Sequence, residues 1–195
     1  MDMRIEYLDT YNSLKNSEWH WEIRSKFVGH FSWAIPTEEA LSVLGTLSPI
    51  VEIGAGSGYW AFLLRERGIK ILPFDLFRGN SNTYRHKNSW IDVYLGDESI
   101  LLKMSPAMNL FLCWPPYADS MAANAVKLFK GRRLAYIGEG FCGCTGDDEF
   151  HEILRSDWVE EQQIKIPQWS GIHDSLSIFR RRNKHGKANR EKCYN

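Results

Sequence analysis

The chain has 195 residues, 44% of them hydrophobic, 25% charged and 13% aromatic, which is enough for one well-filled core and too little for two ordinary enzyme domains. With 15 glycines and 7 prolines it is neither collagen-like, nor low-complexity, nor wholly disordered. The formal charge is zero, from 24 basic and 24 acidic residues, and this argues against a dedicated nucleic-acid binder. The balance nevertheless hides an asymmetry: Arg180 to Asn195 holds seven basic residues and the single acid Glu191, a net +6, against −6 for everything before it.

No apolar run reaches the roughly 20 residues that span a bilayer, so no membrane partner is expected. Met1-Asp2-Met3-Arg4-Ile5-Glu6 lacks the basic and apolar regions of a secretory signal, and a cytoplasmic location is the expectation. The four cysteines, Cys113, Cys142, Cys144 and Cys193, are too few for a disulfide framework in a chain of this length and are read as reduced thiols. Cys142-Gly-Cys144 lacks a second pair at ligand spacing, so no metal site is assigned.

Residues 1–48 read as an N-terminal helical lid segment. Between Glu18 and Pro36 lie Trp19, Trp21, Phe27, Phe31 and Trp33, five large rings that need cover. They suit a lid over a cleft, with Trp33 to Pro36 near its mouth, or alternatively a substrate-stacking platform. His20 and His30 in this segment read as packing or surface groups. Thr37 can cap a helix from Glu38 to Gly45.

Residues 49–182 alternate short apolar runs with helix-like stretches, the pattern of a parallel sheet covered on both faces. Strands are expected at Pro49–Ile53, Ile69–Asp75, Trp90–Leu95, Asn109–Cys113 and Arg133–Ile137. A helix should run from Tyr59 to Arg67 and stop at Gly68, a second should follow Asp119 as far as Gly131, and a third should begin at Asp147 and Asp148. Arg78 to Ser89 reads as a loop. Trp158–Ile166 and Ser175–Arg180 leave no room between them for a crossover helix, so they must form an antiparallel hairpin. Residues 183–195 form a basic tail, read either as a disordered, solvated terminus or as an electrostatic attachment to nucleic acid.

The loop Gly54-Ala55-Gly56-Ser57-Gly58 follows the first strand and opens a helix. Three glycines there let the chain turn sharply and bring backbone N–H groups and the positive helix end close to a ligand. A triphosphatase loop would need Gly-Lys-Ser/Thr where this chain has Gly58-Tyr59-Trp60, and the dinucleotide fingerprint wants its third glycine one position later. Glu52, just before the loop, suits a cationic or amine-bearing ligand. Asp75 ends the second strand, where a carboxylate takes the hydroxyls of an adenosine ribose, and Asp97 follows the third, placed to accept from an adenine amino group.

Val51-Glu52-Ile53-Gly54-Ala55-Gly56-Ser57-Gly58, with Asp75 and Asp97 in the second and third acidic positions, resembles the motifs of class I S-adenosylmethionine-dependent methyltransferases. The resemblance covers about Ile50 to Arg180. It implies a three-layer, Rossmann-like α/β fold with a seven-stranded sheet, five strands parallel and the last two a C-terminal antiparallel hairpin. It also implies S-adenosyl-L-methionine as cofactor, with Gly54, Gly56 and Gly58 near its methionine part, Asp75 at the ribose and Asp97 at the adenine. Glu52 and the first helical residues Tyr59 and Trp60 complete the expected cofactor set.

The reacting centre of such a fold lies beyond the fourth strand, at Cys113-Trp114-Pro115-Pro116-Tyr117. This looks like the Asp/Asn/Ser-Pro-Pro-Tyr motif of enzymes that methylate exocyclic base amines or glutamine amides. Here Trp114 takes the polar position, and an indole donates but does not accept. The carbonyls of Trp114 and Pro115 remain as acceptors for an amine and Tyr117 as a stacking ring, so adenine-N6 methylation is not assigned. Glu139 after the fifth strand is a candidate to hold an amine or take a proton, and His173, beside Asp174, is a candidate base. The expected reaction is in-line methyl transfer to an unidentified nitrogen or oxygen acceptor. The alternatives are an enzyme that cleaves the cofactor and a non-catalytic cofactor-binding module.

Overall fold

The computed structural model describes residues 5–14, 20–77 and 89–183; the loop 78–88, the tail beyond residue 183 with Cys193, Trp19, and the side chains of His20 and Trp21 lie outside the described residues. Strands β1 (Ile50–Ile53), β2 (Ile71–Asp75), β3 (Tyr94–Leu95), β4 (Asn109–Cys113), β5 (Arg133–Gly138), β6 (Trp158–Lys165) and β7 (Ser175–Arg181) form one sheet in the order β3-β2-β1-β4-β5-β7-β6. The first five are parallel, and β7 runs antiparallel to both β5 and β6, the hairpin that the short connection demanded. Helices α1 (Glu6–Leu14), α2 (His20–His30), α3 (Glu38–Gly45), α4 (Tyr59–Glu66), α5 (Met121–Leu128) and α6 (Asp148–Asp157) pack around it.

Alternation along the strands divides the core in two. On β4, Leu110 and Leu112 face one side with Val51, Ile53 and the helices α5 and α6, while Phe111 faces the other with Ile50, Ile137 and α4. Because successive side chains point to opposite faces, a strand covered on both sides must be apolar throughout, and all four residues of β1 are buried. Two helix starts use the expected caps: Thr37 Oγ1 accepts the Ala40 N–H at 3.1 Å and Asp147 Oδ1 that of Phe150 at 2.9 Å. At α5, Asp119 Oδ1 accepts the Met121 N–H at 2.8 Å.

Two elements differ from expectation. The third strand, expected from Trp90, is reduced to Tyr94–Leu95, because Trp90 is taken by other partners. Its N–H donates to the Ser57 carbonyl and its indole to the His30 carbonyl, both at 2.8 Å, and its ring stacks on Phe31 at 5.5 Å. A 3-10 helix over Glu98–Lys103, capped by Asp97, was not anticipated.

The N-terminal rings form one packed stack. Tyr7, Phe27 and Phe31 lie within 10° of parallel, the Tyr7 N–H donates to the Tyr59 hydroxyl at 3.3 Å, and the Trp169 indole donates to the Tyr7 hydroxyl at 3.0 Å. Tyr7, Phe31, Leu44 and Leu47 share a cluster with Ile50, Trp60 and Ile178. No helix among the described residues is long and apolar enough to cross a membrane. Phe31 sits at the centre of the stack and is buried; Phe31→Ala should cost about 3–5 kcal/mol of stability, measured by urea denaturation.

Candidate functional site

The register sets the site. Ile53 lies beside Phe74 on one side and Leu112 on the other, so the next residues of the three chains, Gly54, Asp75 and Cys113, reach the same level of the rim. Here the order of the sheet reverses from β1 to β4, the switch point at which open α/β sheets bind ligands. A cleft of about 810 Å³ opens there.

The glycine loop is shaped by need. Gly54, Gly56 and Gly58 all have positive φ (76°, 56° and 74°), which side chains rarely adopt. A Cβ on Gly58 would stand 2.9 Å from the Val93 side chain, and Gly58 lies behind the loop as the N-cap of α4, not in the cleft lining. The Gly56 N–H donates to Asp75 Oδ2 at 2.7 Å and the Phe77 N–H to Asp75 Oδ1 at 2.8 Å. Each carboxylate oxygen accepts more than one bond, so Asp75 still has capacity toward a ligand. Burial pushes its pKa up against these two bonds.

Glu52 lines the cleft from β1. It is fully buried, its Oε2 has no partner among the described residues, and burial, reinforced by the negative charge of Asp75, pushes its carboxyl up to about 8. The Trp60 indole N–H, also in the lining, is likewise buried with no partner among the described residues. Buried polar groups are ordinarily paired, and an acceptor and a donor left open on one cleft wall fit a ligand that carries both kinds of group.

Tyr59, in contrast, does not reach the cleft. It is buried beneath the aromatic stack, where its hydroxyl meets the Tyr7 backbone and its ring meets Phe31 and Trp90. Asp97 lines the cleft but is exposed. Its Oδ1 accepts from Ser99 N–H and Oγ–H, bonds that hold its pKa below the usual range.

At the other end of the cleft the sequence after β4 folds unexpectedly. Trp114 lines it with φ at +52°, a conformation costing a bulky residue about 1–2 kcal/mol. Its N–H donates to the Ile137 carbonyl and its indole N–H to Asp174 Oδ2, each at 2.8 Å. A hydrogen bond to a charged group contributes about 1.5–3 kcal/mol, enough to offset the strained backbone. The ring stacks on Trp33 at 5.2 Å and 20°, and the Arg24 guanidinium lies over both, 5.4 and 5.7 Å from their centres.

Pro115 is in the lining, but its carbonyl accepts the Gly146 N–H at 3.0 Å while the Ala118 N–H donates to the Gly146 carbonyl at 3.0 Å. The loop after β4 is thereby stitched to the loop after β5, and the Pro115 carbonyl, with one of its two lone pairs taken by that bond, keeps capacity for a further donor. Tyr117 stands at the mouth, 69% exposed.

Glu139 and His173 lie outside the cleft lining. Glu139 Oε1 accepts the His173 backbone N–H and Oε2 the Cys144 N–H, both at 2.8 Å. Burial acts to raise its pKa, but the Cys144 thiol together with these two backbone N–H groups outweighs it and holds the carboxyl low. Glu139 is thus a clasp between loops. The His173 side chain is 82% exposed, with Nδ1 3.8 Å from Glu139 Oε1. Its neighbour Asp174, which the sequence reading treated only as an adjunct to His173, faces inward instead. Buried, with Oδ1 unpartnered, it is raised by burial to about 6. Strand alternation just before β7 was the available sign, since adjacent residues face opposite ways.

No protein-family model matches the sequence, and no curated protein does. Among solved structures the chain is similar to the magnesium protoporphyrin IX methyltransferase of Synechocystis PCC 6803 with bound S-adenosylmethionine. The two share 11% identity at a TM-score of 0.52, over 89% of this chain and 94% of that one. It is also similar to the N-methyltransferase NodS of Bradyrhizobium japonicum WM9 in complex with S-adenosyl-L-homocysteine, with 17% identity and a TM-score of 0.48 over 74% of this chain and 85% of that one. The chain therefore has the seven-stranded, methyltransferase-like α/β fold.

Glu52 gives a test of the site's electrostatics. Its folded pKa of about 8 lies above the ordinary 4.5, so between these values the folded state holds a proton that the unfolded state has lost, and stability falls as pH rises. Glu52→Gln should flatten the decline in urea-denaturation stability between pH 5 and 8, leaving a shallower slope from other groups.

Proposed function

We propose that this protein is an S-adenosylmethionine-dependent methyltransferase. The observation that carries the reading is the glycine loop closed onto Asp75 by the Gly56 N–H, beside the unpartnered, buried Glu52, at the β1/β4 switch point. The residues present fit the cofactor. Asp75 would hold the ribose hydroxyls and the free oxygen of Asp97 the adenine amine, while Gly54 and Gly56 pass the methionine part closely and Glu52 offsets positive charge.

When bound, the cofactor supplies an electrophilic methyl group on a positively charged sulfur. The protein's own task is then alignment and exclusion of water, with no dedicated acid or base required. Met121 walls the loop, its Cε 3.1 Å from where a Cβ on Gly54 would stand, and Trp33 and Trp114 close the opposite end. The acceptor enters at that end, past Tyr117. The basic stretch leaves β7 beside the start of β5, where Arg180 pairs with Arg133.

Calorimetry with S-adenosylmethionine and S-adenosylhomocysteine tests binding directly. Asp75→Ala should weaken both by roughly tenfold or more, about 1.4 kcal/mol. Near pH 7 the cationic cofactor should release a proton from Glu52, detected as a binding heat that changes with the ionisation enthalpy of the buffer. Methyl-labelled cofactor incubated with cell extract, then split by nuclease and protease, assigns the acceptor to nucleic acid, protein or small molecule. Loss of cofactor with no acceptor present would replace transfer by cleavage, and tight binding with no labelled fraction would leave a binding module.

A further inference from the structure

Trp114 stands where the resembling enzymes carry a polar side chain, and the structure shows what has taken over the constraint at this point. The ring is held by three elements distant in sequence. Asp174, at the end of the β6–β7 loop, accepts its indole N–H at 2.8 Å; Trp33, after α2, stacks on its face at 5.2 Å; and Arg24 of α2 lies over both rings. Asp174 is itself held in place. Its carbonyl accepts from Gln168 Nε2 at 2.7 Å, and the preceding residue is clasped through its N–H to Glu139 at 2.8 Å.

The Asp174 carboxylate is buried, yet its Oδ2 accepts from Trp114 while its Oδ1 has no partner among the described residues. Burying a carboxylate with half its capacity unused is costly, and the side-chain bond it does make goes to Trp114. The arrangement serves Trp114, whose left-handed backbone has no glycine to make it easy.

We propose that Asp174 is the positioning residue of the acceptor end: its carboxylate fixes Trp114 against Trp33, so that this wall of the cleft is a stacked indole pair in place of a hydrogen-bonding side chain. The inference rests on the methyltransferase reading for the word acceptor, but not for the placement of the rings. It makes Asp174 a determinant of which acceptors fit, through Trp114, with no contact of its own to the methyl group.

Two stacked indoles give an exciton couplet in circular dichroism, and the part due to this pair is the part missing from both Trp33→Phe and Trp114→Phe. Asp174→Leu should abolish that couplet while S-adenosylhomocysteine affinity stays within about twofold and label transfer into extract falls by up to roughly a hundredfold. Asp174→Asn keeps an acceptor oxygen and should restore the couplet. In the nitrogen–proton correlation spectrum, the Trp114 indole resonance, assigned by its absence in Trp114→Phe, should move upfield in Asp174→Asn as the charge is lost. A couplet that persists in folded Asp174→Leu overturns the proposal. If that variant does not fold, an indole resonance unmoved in Asp174→Asn overturns it instead. A wild-type protein that shows the couplet but transfers no methyl group counts against the proposed function alone.

Discussion

Strand β1 is paired on both edges and buried on both faces, and the architecture of the site follows from that constraint. Being central, it sets the level of β2 and β4, so that Gly54, Asp75 and Cys113 emerge together at one rim. It still carries Glu52 in its buried interior. A carboxyl in that setting gives up its charge unless a ligand matches it, and the strand that organises the sheet therefore also makes the floor of the cleft responsive to what is bound there.

The parts of this design that sequence alone conveys are those governed by short-range periodicity. The strand, glycine turn and helix from Ile50 to Glu66 are legible because an apolar run must be a buried strand, and because positive φ at Gly54, Gly56 and Gly58 is written in the residue type. Asp75 and Asp97 are legible as carboxylates, the first ending a strand and the second just past one. The hairpin of β6 and β7 is legible from the length of its connection.

What escaped was decided by partners far along the chain. Trp90 is drawn out of the sheet by Ser57, His30 and Phe31, contacts that no local pattern around residue 90 contains. Tyr59 begins the helix after the glycine loop and is nevertheless claimed by the N-terminal stack. Glu139 has the expected position at a strand end, and its bonds to two backbone N–H groups, one of them from the β6–β7 loop, are not written in the local sequence. Between His173 and Asp174 the chemistry of the side chains favoured the histidine, and the geometry of the loop favoured the aspartate. In each case residue type gave the capability and long-range packing chose the use.

The bond between Trp169 and Tyr7 joins residues 162 positions apart. It closes a loop that takes in the whole sheet except β7, and the connection it secures at the C-terminal end is the one that carries Asp174. Closing a chain over such a span carries an entropy cost that the contacts it brings together must offset. The tryptophan wall draws on Trp33, Trp114 and Asp174 together, whereas Glu52, Gly54, Asp75 and Asp97 all lie between residues 50 and 97. During synthesis, the residues that would hold the cofactor therefore leave the ribosome before the aspartate that fixes the wall facing what reacts with it.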